Sequence, residues 1–300
     1  MSLAWLVAPP EVRHVRRVVG VARWRRSFGV EHEFTVLDAG SAVVDFRRLI
    51  HTLPVPGRRL DPVDGNAYRC RWGGVITADG REAEIATPPI ELGPGFASAV
   101  VESAARGRAV LESILPVGLT VHGYSTHLNV SVADKRVVRA ARRFSARFAP
   151  ALMLVMDRCT SPGLLVRPRR GRLELGGEFL GGTGLRAAVV MATGCALACA
   201  GRGPRRVPPP LSVRLEPTIE RFGLYVDRGA FGSDLYRSGR STVLRTGSGR
   251  TRTAQQHLEE CWTVARSAGS DVFDPTDLAI VDEMVTGRRP LPSEVGDDRG

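Results

Sequence analysis

Glu31 and Glu33 stand two residues apart in F-G-V-E-H-E-F-T-V-L-D, residues 28–38, where Val30, His32, Phe34 and Val36 alternate with Glu31, Glu33 and Thr35. A period of two is that of a β-strand, so both carboxylates project from one face. Two acids at strand spacing repel each other unless a cation lies between them. Oxygen-rich faces of this kind suit hard divalent ions, above all Mg²⁺ held together with nucleotide phosphates. For an isolated pair the plain alternative is a solvated strand face. What sets this chain apart is that later segments repeat the pattern.

R-E-A-E-I-A-T-P-P, residues 81–89, places Glu82 and Glu84 on one face of a short strand that Pro88 and Pro89 stop. In residues 120–132, His127, Asn129 and Ser131 alternate with Leu128, Val130 and Val132. Residues 211–226 are strand-like on both sides of Pro217 and carry Arg214, Glu216, Glu220 and Arg221. Carboxylates with one neutral imidazole make a ligand set for Mg²⁺ or Mn²⁺, and guanidinium groups bind phosphate in a bidentate manner. Arg167, Arg169, Arg170 and Arg172 cluster nearby in sequence. Glu82 can equally pair with a surface arginine, His122 has no supporting neighbour, and Glu174 and Glu178 read as structural. The chain has neither G-x-x-x-x-G-K-[ST] nor G-x-G-x-x-G after a strand, which excludes a P-loop and a Rossmann site. Gly181-Gly182-Thr183-Gly184 reads as a turn.

The elements that must position these groups follow from periodicity. Residues 12–24 form a basic helix or arm, and residues 45–51 a short helix ended by Pro54 and Pro56. Two short strands flank the turn dipeptide Asp79-Gly80. Helices are expected over 96–115, 136–156, 185–200 and 253–267. Strands and helices do not alternate as βαβ units, and acids, His and Arg keep falling on strands. The expectation is an α+β fold with a mainly antiparallel sheet whose polar face is the active surface. Residues 1–28 are assigned to the basic arm, 29–286 to a single domain and 287–300 to a loose Pro-, Gly- and acid-rich tail.

Composition narrows the class. With 300 residues, 43% of them apolar, the chain can bury a proper core. The net charge of +11 invites a nucleic-acid reading. Against it, the basic residues are almost all Arg, with Lys135 the single Lys; apart from clusters over 13–26 and 167–172 they are dispersed, and aromatic residues are few. The five cysteines form no C-x-x-C pair, and Cys195 and Cys199 read as small core residues. The opening residues do not form a signal segment, and the apolar run over 187–200 is too short for a bilayer and contains Gly194, so no membrane is expected and the compartment is read as cytoplasmic.

Five segments, in order, resemble the carboxylate–amine ligases of the glutamate–cysteine ligase type, within the glutamine synthetase superfamily. G-V-E-H-E-F (29–34) is similar to that family's opening G-x-E-x-E-F strand, and E-I-A-T-P-P (84–89) to its second acidic strand. S-T-H-L-N-V-S-V (125–132) resembles its Thr-His-x-His strand, S-P-G-L-L-V-R-P-R (161–169) its Ser-Pro loop, and R-L-E-P-T-I-E-R-F (214–222) its late Arg and Thr-x-Glu-x-Arg strand. The resemblance implies a curved antiparallel sheet, with helices on one face, that binds ATP and divalent ions, Mg²⁺ or Mn²⁺. It implies transfer of phosphate to a substrate carboxylate followed by attack of an amine on the acyl phosphate, with small-molecule carboxylate and amine substrates. Glu31, Glu33, Glu84, His127 and Glu220 would be metal ligands. Arg167 and Arg169 would face the nucleotide phosphates, and Arg214 and Arg221 would neutralise charge during transfer. Homo-oligomers are usual in that superfamily. Two departures stand out: Asn129 replaces a second His, and T-I-E-R-F puts Arg221 on the opposite strand face from Glu220, leaving Glu216 as a competing ligand. A catalytically inactive scaffold of the same fold is therefore the alternative, with a basic nucleic-acid-binding protein behind it.

Overall fold

A computed structural model describes residues 26–63, 65–201, 207–213, 215–218 and 223–295. The expected basic arm, apart from residues 26–28, lies outside them, as do Arg214, Glu220 and Arg221. In chain order the elements begin with β1 (Ser27–Leu37), β2 (Val43–Val44), α1 (Phe46–Leu49), β3 (Gly57–Arg59), β4 (Ala67–Cys70), β5 (Val75–Asp79), β6 (Glu82–Ala86) and β7 (Ile90–Glu91). There follow α2 (Phe96–Ile114), β8 (Thr120–Ser131), α3 (Asp134–Arg147), α4 (Ala149–Met156), β9 (Gly163–Arg169), β10 (Arg172–Glu178) and α5 (Gly182–Cys199). The last are β11 (Glu216–Thr218), β12 (Gly223–Asp227), α6 (Leu235–Ser238), β13 (Val243–Arg245), β14 (Thr251–Thr253), α7 (Ala254–Ala268) and α8 (Pro275–Val285).

The fold is α+β. One large sheet runs β11-β12-β9-β10-β8-β1-β6-β5-β4-β3, with β2 and β7 paired to the ends of β1. Every pairing described in it is antiparallel. Alternation divides its two faces. Phe28, Val30, Leu128, Val130, Leu164, Val166, Leu173 and Leu175 enter the main core with α2, α3, α4, α5, α7 and α8. Phe34, Val36, Ile76 and Ile85 form a second core with Phe46, Ile50 and Leu111. Each of these fully buried aromatic or aliphatic side chains contributes roughly 1.5–3 kcal/mol of transfer free energy. His32 lies on this apolar side, against Phe34 and Phe179, where burial and then the charges of Arg108 and His127 push it down to about 3.

Three expectations change. The single helix expected over 136–156 is two, α3 and α4, because Pro150 sits in the first turn of α4. Proline has no N–H to give to the carbonyl four residues back. That carbonyl, on Ala146, accepts instead from the Leu211 amide at 2.8 Å, and the Arg147 carbonyl lies 2.8 Å from His257 Nε2. The segment after Gly287, expected to be loose, buries Leu291 and forms a 3₁₀ turn over Pro292–Glu294 tied to Arg240. The run Gly181–Gly184 is not a free turn: Gly182 opens α5. This helix is long and apolar enough by composition to cross a membrane, yet it packs inside the core. A Cβ on Gly194 would stand 2.5 Å from the Ala265 carbonyl oxygen, so glycine sets the close approach of α5 to α7.

Candidate functional site

The register of the central strands assembles the site on the face away from the helices. Glu31 of β1 lies opposite His127 of β8, and Glu33 lies between Glu84 of β6 and Ser125 of β8. On the far side of β8, Gly176 of β10 pairs with His127 and Glu174 with Asn129, and Glu174 pairs in turn with Arg167 of β9. Side chains distant in sequence thus form two adjoining groups.

The first group is mixed in charge. His127 Nδ1 lies 3.6 Å from Glu31 Oε2, 3.8 Å from Glu174 Oε1 and 3.9 Å from Glu33 Oε1. Arg169 Nε donates to Glu174 Oε2 at 2.9 Å, and Arg167 forms an ion pair with the other oxygen. Arg172 Nε donates to Asn129 Oδ1 at 2.7 Å, and its terminal nitrogen is 3.9 Å from both Glu31 and Glu174. Burial would raise Glu31, but the hydrogen bond with His127 and the charges of Arg172 and His127 outweigh it and hold the carboxyl below its usual value. Burial would lower His127, but Glu31, Glu33 and Glu174 overcome both that and Arg167 and raise the imidazole above its usual value. Cations of the protein itself neutralise this group.

The second group is wholly acidic: Glu33, Asp79 and Glu84 each offer an oxygen within 4.8 Å of the others. Burial, then the charges of Glu31, Glu33, Asp79 and Glu174, push Glu84 up to about 8. Ser125 Oγ donates to Glu33 at 2.6 Å, which orients that carboxylate. Three converging carboxylates, one of them unable to ionise easily without a counter-charge, fit a hard divalent cation held by oxygen ligands.

Both groups border a cavity of about 430 Å³, lined among others by Glu33, Asp79, Tyr124, His127, Arg167 and Tyr225. Glycine makes its floor. A Cβ on Gly176 would lie 2.9 Å from His127 Cδ2, so only glycine lets the imidazole lie across β10. A β-bulge between Glu33 and Phe34 leaves Tyr124 outside the ladder, exposed on the cavity rim.

Of the residues singled out in the sequence, the structure brings Glu31, Glu33, Glu84, His127, Arg167 and Arg169 to one face. Arg167 and Arg169 meet Glu174 there. Glu82 accepts from the Arg81 amide at 3.0 Å, and His122 is exposed on β8. Glu216 lies in β11, while Arg214, Glu220 and Arg221 are outside the described residues. Glu174, read from the sequence as structural, and Asp79, read as a turn residue, both stand in these groups. The alternation of Arg172, Glu174, Gly176 and Glu178 carries the signal for Glu174, whereas Asp79 was absorbed into a turn dipeptide.

No family model matches the chain, and no curated protein does. Among solved structures, it is similar to a bifunctional glutathione synthetase from Pasteurella multocida (TM-score 0.50, 10% identity), over 87% of this chain and 48% of that one. It is also similar to the Pup ligase PafA in complex with the prokaryotic ubiquitin-like protein Pup (0.46, 14%, over 88% and 62%). PafA in complex with ADP gives 0.47 and 14%, over 81% and 61%. The chain therefore spans between 48% and 62% of the length of these structures. At such identities the likeness is one of fold.

Proposed function

We propose that this chain is an ATP- and divalent-cation-dependent carboxylate–amine ligase built on a catalytic domain of the glutamine synthetase type, of the glutamate–cysteine ligase kind, acting on an amino-acid carboxylate. The observation that carries the reading is the all-carboxylate group Glu33, Asp79 and Glu84, whose Glu33 and Asp79 line a cavity that also presents Arg167 and His127. The fold-level likeness to the glutathione synthetase structure supports it. Glu33, Glu84 and Asp79 would hold one Mg²⁺ or Mn²⁺; Glu31, His127 and Glu174 offer a second donor set. When bound, such ions screen the nucleotide phosphates and the charge that develops during transfer. Arg167 would meet phosphate oxygens at the cavity wall, with Arg169 behind it on Glu174. Arg214, Arg221 and Glu220 retain in this proposal the roles that the resemblance implies. The reaction activates the carboxylate by phosphoryl transfer from ATP, after which an amine displaces inorganic phosphate and an amide forms. All five cysteines are free thiols, which accords with a reducing, cytoplasmic compartment.

Phosphate release from ATP with Mg²⁺, measured across a panel of amino acids and amines, tests the reading. Amino-acid-dependent release that Glu33→Gln abolishes is the expected result; absence of both release and ATP·Mg²⁺ binding would overturn it. A second reading is a catalytically inactive binding protein of the same fold. The observation in its favour is that Arg167 and Arg169 are already ion-paired with Glu174. It predicts ATP·Mg²⁺ binding without turnover on any substrate.

A further inference from the structure

One wall of the cavity is formed by Ser161, Pro162 and Gly163, in the stretch between α4 and β9. This stretch belongs to no helix and joins the sheet only at Gly163, so its backbone groups must find partners elsewhere. Glu178 supplies one side: its carboxylate accepts from the Arg158 amide, and from Thr160 Oγ1 at 2.6 Å. Arg228 supplies the other. Its Nη1 donates to the Cys159 carbonyl at 2.6 Å and to the Ser161 carbonyl at 3.1 Å, and its own amide donates to the Pro162 carbonyl at 3.2 Å.

Glu178 itself lines the cavity, whereas the residues that hold it and Arg228 stand behind the wall. Asp157, at the end of α4, has no exposed surface. One of its oxygens accepts from the Glu178 amide at 3.0 Å, and the other accepts from the Tyr236 hydroxyl. The Arg228 guanidinium lies 5.0 Å from the centre of the Tyr236 ring and pairs with Asp234 at 2.8 Å. Asp234 in turn caps α6 through the Tyr236 amide at 3.0 Å. A Cβ on Gly177 would come within 2.6 Å of Asp157 Oδ1, so β10 carries glycine where the carboxylate reaches it. Both oxygens of this buried carboxyl are thus engaged in joining β10 to α6.

We propose that Asp157, Tyr236 and Arg228 form a clamp that positions residues 161–163, and that α6 thereby sets the shape of the ligand cavity. These are positioning residues, since none of them touches the cavity. The claim about the clamp stands on the contacts alone; its effect on ligand affinity rests on the ligase reading.

Cys159 supplies a built-in reporter, because it is the one exposed thiol among the five and its carbonyl is held by Arg228. Iodoacetamide modification of Cys159, located by mass spectrometry, is measured on the full chain and on Tyr236→Phe, Asp157→Asn and Arg228→Gln. Loss of the Tyr236–Asp157 bond, or of the charge-assisted bonds from Arg228 to the Cys159 and Ser161 carbonyls, predicts a roughly tenfold faster reaction in Tyr236→Phe and Arg228→Gln. Asp157→Asn, whose Oδ1 can still accept from the Glu178 amide while its Nδ2 donates to the Tyr236 oxygen, should remain near wild type. The dissociation constant of ATP·Mg²⁺ should rise by a similar factor in the first two. Unchanged Cys159 rates in both would overturn the clamp, as would reaction of all five thiols together, which signals general unfolding. If Tyr236→Phe does not fold, Arg228→Gln, a partly exposed position, carries the test. Faster labelling in a protein that never binds ATP·Mg²⁺ would uphold the clamp and count against the ligase reading instead.

Discussion

Two groups of charged side chains share one sheet face yet meet opposite electrostatic fates. Around His127, the acids Glu31 and Glu174 are matched by Arg167, Arg169 and Arg172. One strand over, Glu33, Asp79 and Glu84 have Ser125 as a neutral donor, and Glu84 is pushed up to about 8. The first arrangement carries its own counter-charges, which link β9, β10, β8 and β1. The second is destabilised by its own charge and gains most from an ion. The same residue type is therefore neutralised within the protein in one place and left facing like charges in the other, and the local count of arginines decides which.

The contrast can be broken most directly by comparing activity with stability. Glu33→Gln should lower ATP-dependent phosphate release by on the order of 10²-fold or more while leaving the denaturant midpoint at or above that of wild type, since it removes a repelling charge. A midpoint that falls along with activity would make Glu33 structural. Arg167→Ala should instead lower the denaturant midpoint together with activity, because Glu174, with its side chain 2% exposed, keeps only part of its compensation while the cavity wall loses a guanidinium. Urea unfolding should show a loss of about 3 kcal/mol, the low end for a broken buried pair, since Arg169 remains.

Glu84 sharpens the comparison through pH. A carboxyl raised from 4.5 to about 8 on folding binds its proton more tightly in the native state. Stability is therefore greatest at low pH with respect to this group and declines as pH climbs through that window. Glu84→Gln should flatten the decline in thermal midpoint and raise the midpoint at the alkaline end. Added Mn²⁺ should raise the wild-type midpoint there and leave Glu84→Gln nearly unmoved; an equal response in both would remove Glu84 from the ion site. The smallest effect belongs to Asn129→Ala, which loses the bond from Arg172 and should cost about 1 kcal/mol without altering Mn²⁺ binding.

Much of this was legible in the sequence because strand alternation is local. The segments holding Glu31, Glu33, Glu84 and His127 fall in β1, β6 and β8 with boundaries close to those expected. What stayed hidden was register. That Glu174 lies across β8 from Glu31, or that Asp79 converges on Glu84, depends on which strands neighbour each other, and no local period encodes that. Asp79 was read for its turn chemistry, and the turn is there, with Gly80 at a φ of 59°. The break before α4 was written in Pro150 but masked by apolar spacing that continues through it. Helix α8, which opens with an Asp274 cap and Pro275, went unread although both signals are standard helix starts.

The placement of β1 between β6 and β8 has a consequence for how the chain comes into being. All three side chains of the acidic group come from residues 33–84, whereas the mixed group reaches from residue 31 to residue 174. Synthesis proceeds from the N-terminus, so β1, β5 and β6 can meet before β9 and β10 have been made. The arginines that neutralise Glu31 and Glu174 thus arrive only with Glu174 itself, long after the acidic group is present. A nascent chain gathers Glu33, Asp79 and Glu84 first, and under the proposed reading a divalent ion taken up at that stage would serve as an assembly partner before β9 and β10 are in place.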